Sequence, residues 1–367
     1  MTTRTLTVLA IAAAALVLLA VFAERSGGPS AGGAPELLLP GLTERLNDVE
    51  RVTLVRAGNE TVATLEPGES GWTVAERDGY PADTPKLRQA LIALGEARLV
   101  ERKTANETLH ERIGVEDVSR SEASGLALTI EGGGDWPTLI LGDAEGTGYR
   151  YVRRADEAQS WLIDRNPDLP RSTSQWLDPS ILDVRGDRVQ QVTITHPDGE
   201  IVRVYKDERG AANFSVADVP EGRELQYPGV ANVTANALRE LRLEDVERAS
   251  AAPEEPVTTV EYRTFDGLVV RGEGFERGDQ AWIAFTASFD PDQAQRFAES
   301  AQSGDDADGG AESAADDGAD ASAIEDEAAA INARTAGWRY RIASYQFDQM
   351  TRRLEDFLQA LPADDEE

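Results

Sequence analysis

The feature that most constrains the fold of this chain is an order of elements that occurs twice. The first stretch alternates apolar and polar residues in "ERVTLVRAG" (50–58), "ETVATLEPG" (60–68) and "GWTVAER" (71–77), which is typical of antiparallel strands with one exposed face. The second stretch begins with a hairpin pattern at 187–207, whose turn reads "HPDG". We therefore predict an α+β protein built from two tandem copies of an antiparallel-sheet-plus-helix unit.

Matched spacings support this duplication. In each copy a leucine follows a Tyr-Pro pair by 14 positions, counted from the tyrosine, and a tryptophan near the end of the copy precedes a leucine by 16 positions. We expect the matched residues to be structural, with both tyrosines buried beside helices. They are Trp72, Tyr80, Pro81 and Trp161 in the first copy, and Phe214, Tyr227, Pro228 and Trp338 in the second.

The tetrad Tyr80-Pro81-Ala82-Asp83 leads into a predicted amphipathic helix. Apolar residues recur there at helical spacing, at Leu87, Ala90, Leu91 and Leu94. Thr84 is placed to cap this helix, and Pro85 suits its first turn. The second copy has Val230 where the first has Asp83, so any chemistry of Asp83 would belong to the first copy alone.

The N-terminal segment predicts a membrane anchor. Residues 6–23 form an uncharged apolar run of 18 residues, the short end of the length that spans a bilayer. A cleaved secretory signal ending at Ala23 is the alternative. We predict an anchor at 1–23, a flexible Gly- and Ser-rich tether at 24–40, the first copy at 41–184 and the second at 185–361.

The charge of the chain is strongly acidic. It has 67 Asp and Glu against 36 Lys and Arg, a formal net charge of -31, which disfavours binding to nucleic acid. The second copy contains an acidic stretch that we predict to be a disordered insertion at about 299–330. An acidic tail follows at 362–367. The chain has no cysteine, which excludes disulfides, thiolate metal sites and a cysteine nucleophile.

Candidate catalytic residues are sparse. The two histidines, His110 and His196, have no second histidine at ligand spacing, which favours structural roles for both. No nucleophile elbow, phosphate loop or zinc-protease motif occurs. We predict no catalytic residues, no cofactor and no metal. Trp136 and Trp176 have no counterpart in the second copy, so we predict that they are the better candidates for a surface contact.

Several motifs together resemble a known bacterial family. The "GWTV" strand, the "YPAD" helix entry, "LGD" followed by "GYRYVRR", "SWLID" and a Trp-led closing helix are similar to the domain-of-unknown-function family 4340. The resemblance implies a single-span envelope protein of the bacterial inner membrane whose body lies outside the cytoplasm. It also implies an association with ABC-type exporters of the gliding-motility class. It implies no catalytic residues.

The sequence thus predicts a membrane-anchored, non-enzymatic accessory or scaffold subunit of an ABC-type transporter or envelope complex, with protein partners and no nucleic acid. One alternative is a peptide- or glycan-binding envelope module. Another is a hydrolase that uses two carboxylates.

Overall fold

The computed structural model describes residues 36–249, 255–297 and 321–360. The predicted anchor, the first part of the tether, most of the acidic insertion and the acidic tail lie outside these residues. The described strands, in chain order, are β1 (Val49–Arg56), β2 (Glu60–Gly68), β3 (Gly71–Val74), β4 (Tyr80–Pro81), β5 (Leu99–Arg102), β6 (Leu126–Gly132), β7 (Leu139–Glu145), β8 (Tyr149–Arg154), β9 (Ser160–Ile163), β10 (Ser180–Leu182), β11 (Val189–Thr195), β12 (Ile201–Tyr205), β13 (Ser215–Val216), β14 (Leu241–Arg242), β15 (Asp245–Arg248), β16 (Thr258–Thr264), β17 (Leu268–Arg277), β18 (Gln280–Phe289) and β19 (Trp338–Ile342).

The described helices are fewer than the strands, and the strands pair antiparallel, so the fold is α+β and mostly antiparallel. The α-helices are α1 (Thr84–Glu96), α2 (Asn232–Ala235), α3 (291–297), α4 (Ala321–Thr335) and α5 (Ser344–Met350). The 3-10 helices are η1 (Thr43–Asp48), η2 (Ala57–Asn59), η3 (Ala75–Arg77), η4 (Glu107–Ile113), η5 (Thr173–Trp176) and η6 (Leu354–Phe357).

Internal contacts divide the chain into two compact units. Unit 1 consists of the described residues up to Pro67 together with Thr84–Arg171, and unit 2 consists of Gly68–Asp83 together with the described residues from Ser172 onward. This division differs from the predicted boundary at 184/185 in two ways: unit 2 resumes at Ser172, and the segment Gly68–Asp83 belongs to unit 2 although unit 1 surrounds it in sequence.

Unit 1 is built on seven antiparallel strands in the order β2-β1-β6-β7-β8-β9-β5. Alternation in β1 puts Val52 and Leu54 fully inside, as a half-buried strand requires. Helix α1 begins at Thr84 and buries Leu87, Ala90, Leu91 and Leu94. The helix and the apolar face that the sequence predicted are therefore confirmed.

Unit 2 contains an eight-stranded antiparallel sheet in the order β13-β12-β11-β16-β17-β18-β19-β15. Strand β16 alternates buried and half-buried positions without interruption, so one face of the sheet meets the core. The unit also includes the short ladders β3-β4 and β10-β14. The predicted hairpin at 187–207 is present as β11 and β12.

Two predictions of flexible chain are wrong for the residues that the structure describes. At the end of the predicted tether, Leu38 and Leu39 are each 1% exposed, and the Leu38 amide donates to the Ala97 carbonyl at 2.8 Å. At the end of the predicted disordered insertion, residues from Ala321 form helix α4, which buries Ile324 and Ala328. In both places a mostly polar stretch contains apolar side chains that pack into a hydrophobic core. Their burial offsets the loss of conformational entropy when the backbone becomes ordered.

The stretch after the Tyr227-Pro228 pair, in the region predicted to be the second copy, does not contain a helix as long as α1. Only the single turn α2 (Asn232–Ala235) forms there, and the chain reaches β14 at Leu241. Residues 229–236 contain one Gly, two Asn, two Val and one Thr, whose helix propensity is low, whereas α1 contains three Leu, two Ala and no Asn or Val. The closing helix predicted near Trp176 is likewise only the 3-10 turn η5, followed by strand β10.

Candidate functional site

The Tyr-Pro-Ala-Asp tetrad is a structural contact within unit 2. Tyr80 is 1% exposed, and its ring centroid lies 5.0 Å from that of Trp338 and 6.2 Å from that of Tyr340. The backbone amide of Asp83 donates to the Trp176 carbonyl at 2.8 Å. The predicted burial of Tyr80 is therefore confirmed, and the tetrad serves to hold its segment on strand β19.

The second Tyr-Pro pair has the opposite environment. Tyr227 is 54% exposed, and Pro228 is exposed as well. Gly229 follows with a φ of 89°, a left-handed conformation that turns the chain before any helix can bury the tyrosine. The prediction that Tyr227 is buried beside a helix is wrong, and this side chain is available for contact with solvent or a ligand.

The other matched aromatic residues lie mostly inside. Phe214 is 4% exposed and Trp338 is 7% exposed, while Trp72 and Trp161 are half-buried. Trp176 is fully buried, so its predicted role in a surface contact is wrong. Trp136 is half-buried, with its indole N–H donating to the Gly132 carbonyl at 3.1 Å.

Both histidines are buried against backbone carbonyl groups. The Nε2 atom of His110 lies 2.9 Å from the Ala158 carbonyl oxygen. The Nε2 atom of His196 lies 3.4 Å from the Arg352 carbonyl oxygen, and its Nδ1 atom lies 3.4 Å from the Thr258 hydroxyl. These partners suit structural roles. Across the described ranges, no cluster of three or more His, Asp or Glu side chains is arranged to hold a metal ion.

An open groove of about 740 Å³ lies within unit 2. It forms where residues 224–226 run antiparallel to residues 357–359: the Gln226 amide donates to the Phe357 carbonyl at 2.9 Å, and the Gln359 amide donates to the Glu224 carbonyl at 2.8 Å. The lining includes side chains from this pair of segments, from helix α5 and from the turn after it. They are Arg223, Gln226, Asp348, Thr351, Arg352, Glu355, Asp356, Leu358 and Ala360.

The 3-10 turn η6, which carries the lining residues Glu355 and Asp356, is held firmly. In η6 the Asp356 carboxylate accepts from the Arg353 amide at 2.8 Å, and the Arg353 guanidinium donates to Asp198 at 2.7 Å and Glu200 at 2.5 Å. Phe357 beneath it is fully buried. The groove therefore has a fixed floor, anchored to the hairpin turn between β11 and β12.

One ion pair, between Arg223 and Glu355, joins the two walls of the groove. Arg223 donates to both carboxylate oxygens of Glu355, at 3.1 and 2.8 Å, and to the Gln359 carbonyl at 2.9 Å. The hydrogen bond from Arg223 holds the pKa of Glu355 below its usual range. An ionised, paired carboxylate of this kind can accept hydrogen bonds from a ligand, but it is the opposite of a general acid, whose pKa must be raised.

Two exposed tyrosines adjoin the groove along the chain. Tyr227 follows the lining residue Gln226, and Tyr345 precedes the lining residue Asp348 by one turn of α5. Tyr345 is 63% exposed and Tyr227 is 54% exposed. Exposed tyrosines beside paired charges are typical of surfaces that bind protein or carbohydrate.

A family model described as a domain of unknown function (DUF4340) matches residues 72–260 of the chain. The chain belongs to the DUF4340 family. No curated protein and no solved structure matches it. The DUF4340 match covers the 223–226 wall of the groove, whereas the wall from Asp348 to Ala360 lies beyond the matched residues.

The membrane prediction for this DUF4340 protein rests on residues 1–23, which lie outside the described residues. Within the described ranges, the helices are too short or too polar to cross a bilayer.

The groove was not predicted from the sequence of this DUF4340 protein. Its walls come from residues separated by about 130 positions, as in the pair Arg223 and Glu355. A contact between residues so far apart cannot be predicted from local sequence patterns. The one signal that could have pointed to it is the Tyr227-Pro228-Gly229 turn, where a glycine after the proline argues against a buried helix entry.

Proposed function

We propose that this protein is a non-enzymatic accessory subunit of an ABC-type transporter or envelope complex, which is anchored in the bacterial inner membrane by residues 6–23 and binds a partner protein outside the cytoplasm. The observation that carries the binding role is the groove of unit 2, with its fixed floor, paired charges and adjoining exposed tyrosines. The association with an ABC-type complex rests on what the sequence resemblance to the DUF4340 family implies.

The groove suits a polar segment of another protein. Its Arg223 and Glu355 side chains are already paired, so a ligand can bond to the remaining acceptors and donors without separating a buried charge. Tyr227 and Tyr345 are exposed and offer apolar rings with a polar tip, and tyrosine is enriched among the residues that contribute most to binding at protein interfaces. Several weak contacts of this kind become effective when the membrane holds both partners in one plane.

The order of strands supports the proposal of two tandem copies. Seven strands of each unit relate sheet order to chain order in the same way: in both sheets, the second strand in the sequence lies next to the first, followed by the fourth to the seventh and then the third. These orders are β2-β1-β6-β7-β8-β9-β5 in unit 1 and β12-β11-β16-β17-β18-β19-β15 in unit 2. We infer a duplication in which only the second copy acquired the groove, because its Tyr-Pro pair turns outward and the first pair turns inward. In this scaffold, the second copy would bind the partner and the first copy would not.

A glycan-binding envelope module is the second candidate. Exposed tyrosine rings beside carboxylates and amides are also what a sugar ring and its hydroxyl groups require. The carboxylate-dependent hydrolase is disfavoured at Glu355, because the hydrogen bond from Arg223 lowers its pKa, whereas the general acid of a hydrolase needs a raised pKa.

The test uses the full chain in its own membranes. A photo-crosslinking residue replaces Tyr345 in one strain and Tyr149, which is 46% exposed in unit 1, in a matched control. We expect crosslinks to transporter subunits from position 345 and a several-fold lower yield from position 149. The double variant Tyr227→Ala/Tyr345→Ala should lose recovery of those subunits from gently solubilised membranes while keeping its thermal stability.

Two results would overturn the accessory role. One is an unchanged recovery of transporter subunits by the double variant, combined with no crosslink at position 345. The other is saturable binding of envelope glycan fragments that this variant abolishes, which would favour the second candidate. Extraction of membranes at alkaline pH tests the anchor separately, since a retained anchor keeps the chain in the pellet whatever its partners are.

A further inference from the structure

One guanidinium group of the unit 2 groove has no carboxylate partner. Of the two arginines that line the groove, Arg223 is paired with Glu355. Arg352 is half-buried, and it forms no ion pair with any residue that the structure describes. The chain has 67 Asp and Glu residues, yet none of the described ones is paired with this cation. The groove therefore presents a positive charge that is open to a ligand.

The Arg352 side chain is held in place before any ligand binds. Its guanidinium carbon lies 5.5 Å from the ring centroid of Phe357, which is fully buried. Its Nη1 atom donates to the Val230 carbonyl oxygen at 3.4 Å. Stacking on an aromatic ring and a contact with the backbone both restrict the planar guanidinium. Binding a ligand therefore costs this side chain less conformational entropy than it would cost an unrestrained surface arginine.

The opposite edge of this guanidinium is unused. The Nε and Nη2 atoms of Arg352 have no hydrogen-bond partner among the described residues, and neither atom is closed to solvent. Their two N–H groups lie parallel on one edge of the plane, a geometry that the two oxygens of a carboxylate match. Such charge-assisted pairs are roughly twice as strong as hydrogen bonds between neutral groups. The free edge therefore fits a carboxylate from a ligand.

The groove also presents one unpaired carboxylate. Asp348 is exposed on α5 and lines the groove, and its side chain forms no hydrogen bond or ion pair with the described part of the chain. The other two acids are engaged, Glu355 by Arg223 and Asp356 by the Arg353 amide. A ligand with one acid and one base therefore complements both free charges. A purely acidic ligand would be repelled by the net charge of -31.

We propose that Arg352 binds the side-chain carboxylate of an acidic residue in the partner's docking segment, through Nε and Nη2, and that Asp348 selects a basic residue near that acid. The site rests on the partner role proposed for the groove and names the groups that the groove recognises. A small carboxylate would match Arg352 alone. The seven residues that follow Ala360 contain four acids and no base, so they also match Arg352 alone. A partner segment can match both charges.

The first test follows the Nε–H signal of Arg352 by NMR. The full chain is labelled with ¹⁵N-arginine and purified in a non-ionic detergent, and the signal is assigned by its loss in Arg352→Lys. The probe is the peptide acetyl-Lys-Gly-Glu-Gly-Lys-amide, and the control peptide has glutamine in place of glutamate. We expect a saturable shift with the glutamate peptide and about tenfold weaker binding of the glutamine peptide. A third peptide, with alanine in place of both lysines, should bind several-fold more weakly than the first.

Variants assign the binding to these two side chains, with binding measured from the NMR signals of the peptide. Arg352→Gln should weaken binding of the glutamate peptide by about tenfold. Arg352→Lys keeps the charge but lacks the planar pair of donors, so it should also bind several-fold more weakly. Asp348→Asn should remove the advantage that the lysines give. Arg239→Gln, which removes a positive charge from an exposed position of unit 2 outside the groove, is the control and should bind normally.

The second test measures the recovery of transporter subunits from gently solubilised membranes. Arg352→Gln should lower this recovery several-fold, and Arg239→Gln should not. If Tyr227→Ala/Tyr345→Ala keeps full recovery and position 345 gives no crosslink, the accessory role fails. If that double variant loses recovery but Arg352→Gln keeps it, the carboxylate site fails while the accessory role stands. The peptide titration involves no transporter, so it decides the chemistry of the groove by itself.

Three other results would overturn the carboxylate site. The first is equal binding of the glutamate and glutamine peptides, and the second is unchanged peptide binding by Arg352→Gln. The third comes from a chain in which Asn and Gln replace the four acids at 364–367. A shift of the Arg352 signal in that chain, without any peptide, would identify the chain's own tail as the occupant in place of a partner's acid.

Discussion

The ring of Tyr80 packs edge-on against the ring of Trp338, with centroids 5.0 Å apart and planes at 89°. The two residues are more than 250 positions apart in sequence, yet both belong to unit 2. Tyr80 lies in the segment Gly68–Asp83, which belongs to unit 2. This segment interrupts unit 1 in the sequence, and unit 1 resumes at Thr84. The aromatic contact therefore fixes this segment in unit 2.

Loss of the Tyr80 ring should destabilise unit 2. Tyr80→Ala removes a ring that is 1% exposed, and truncation of buried aromatic residues costs about 3–5 kcal/mol in the free energy of unfolding. Tyr80→Phe keeps the ring and should cost less than about 1.5 kcal/mol. Urea unfolding followed by tryptophan fluorescence measures both changes. Tyr149→Ala, at an exposed position, is the control and should stay within about 0.5 kcal/mol.

Unit 2 should also lose stability at alkaline pH. Burial, with a smaller contribution from the charge of Asp178, raises the pKa of Tyr80 to about 12, whereas an unfolded tyrosine titrates near pH 10. Between about pH 10 and pH 12 the unfolded chain has lost this proton and the folded chain retains it. The free energy of unfolding should therefore fall as the pH rises, by about 1.4 kcal/mol per pH unit for each such tyrosine.

The variant Tyr80→Phe isolates this contribution. It lacks the titrating hydroxyl group, so its free energy of unfolding should fall less steeply above pH 10 than that of the unsubstituted chain. Burial also raises the pKa values of Tyr340 and Tyr262, so a part of the alkaline loss should remain. Parallel slopes for the two proteins would show that Tyr80 titrates normally and is not buried in solution.

The ion pair between Arg77 and Asp245 should add measurably to the stability of unit 2. The guanidinium donates to both carboxylate oxygens, at 2.7 and 3.0 Å, and the side chains are only 29% and 17% exposed. A double-mutant cycle with alanine at both positions should give a coupling energy of about 1.5–3 kcal/mol. The exposed pair Arg185 and Asp187, at 71% and 59% exposure, should give less than about 1 kcal/mol. Equal coupling in both pairs would contradict this ranking.

The sequence predicted well wherever local periodicity decides the structure. Helix α1 and its buried face follow from the spacing of its leucines, and the hairpin of β11 and β12 follows from alternation around a Pro-Asp-Gly turn. It failed at Tyr227, where a matched Tyr-Pro pair suggested burial. The glycine at 229 and the low helix propensity after it change the local backbone, so the same pair has the opposite exposure.

Contacts between distant residues could not be predicted in this way. The groove joins residues about 130 positions apart, and the segment around Tyr80 belongs to a unit that begins again only at Ser172. The acidic composition near 321–330 predicted disorder, but Glu327 accepts from both terminal nitrogens of Arg188, at 2.9 and 2.8 Å. The amino-acid composition of this stretch does not show that Arg188, which is distant in sequence, forms an ion pair with Glu327.

Helix α4 should protect the edge of strand β18. Strand β19 pairs with β18 only at Ala281–Ile283, and further along β18 the Asn332 side chain accepts from the Ala287 amide at 2.8 Å and donates to its carbonyl at 2.7 Å. Asn332→Ala leaves both groups without a partner, which should cost about 1–3 kcal/mol. Hydrogen exchange should show faster exchange of the Ala287 amide. Glu325→Ala, at an exposed position of the same helix, should leave that rate unchanged. Unchanged exchange in Asn332→Ala would mean that α4 does not cover this edge in solution.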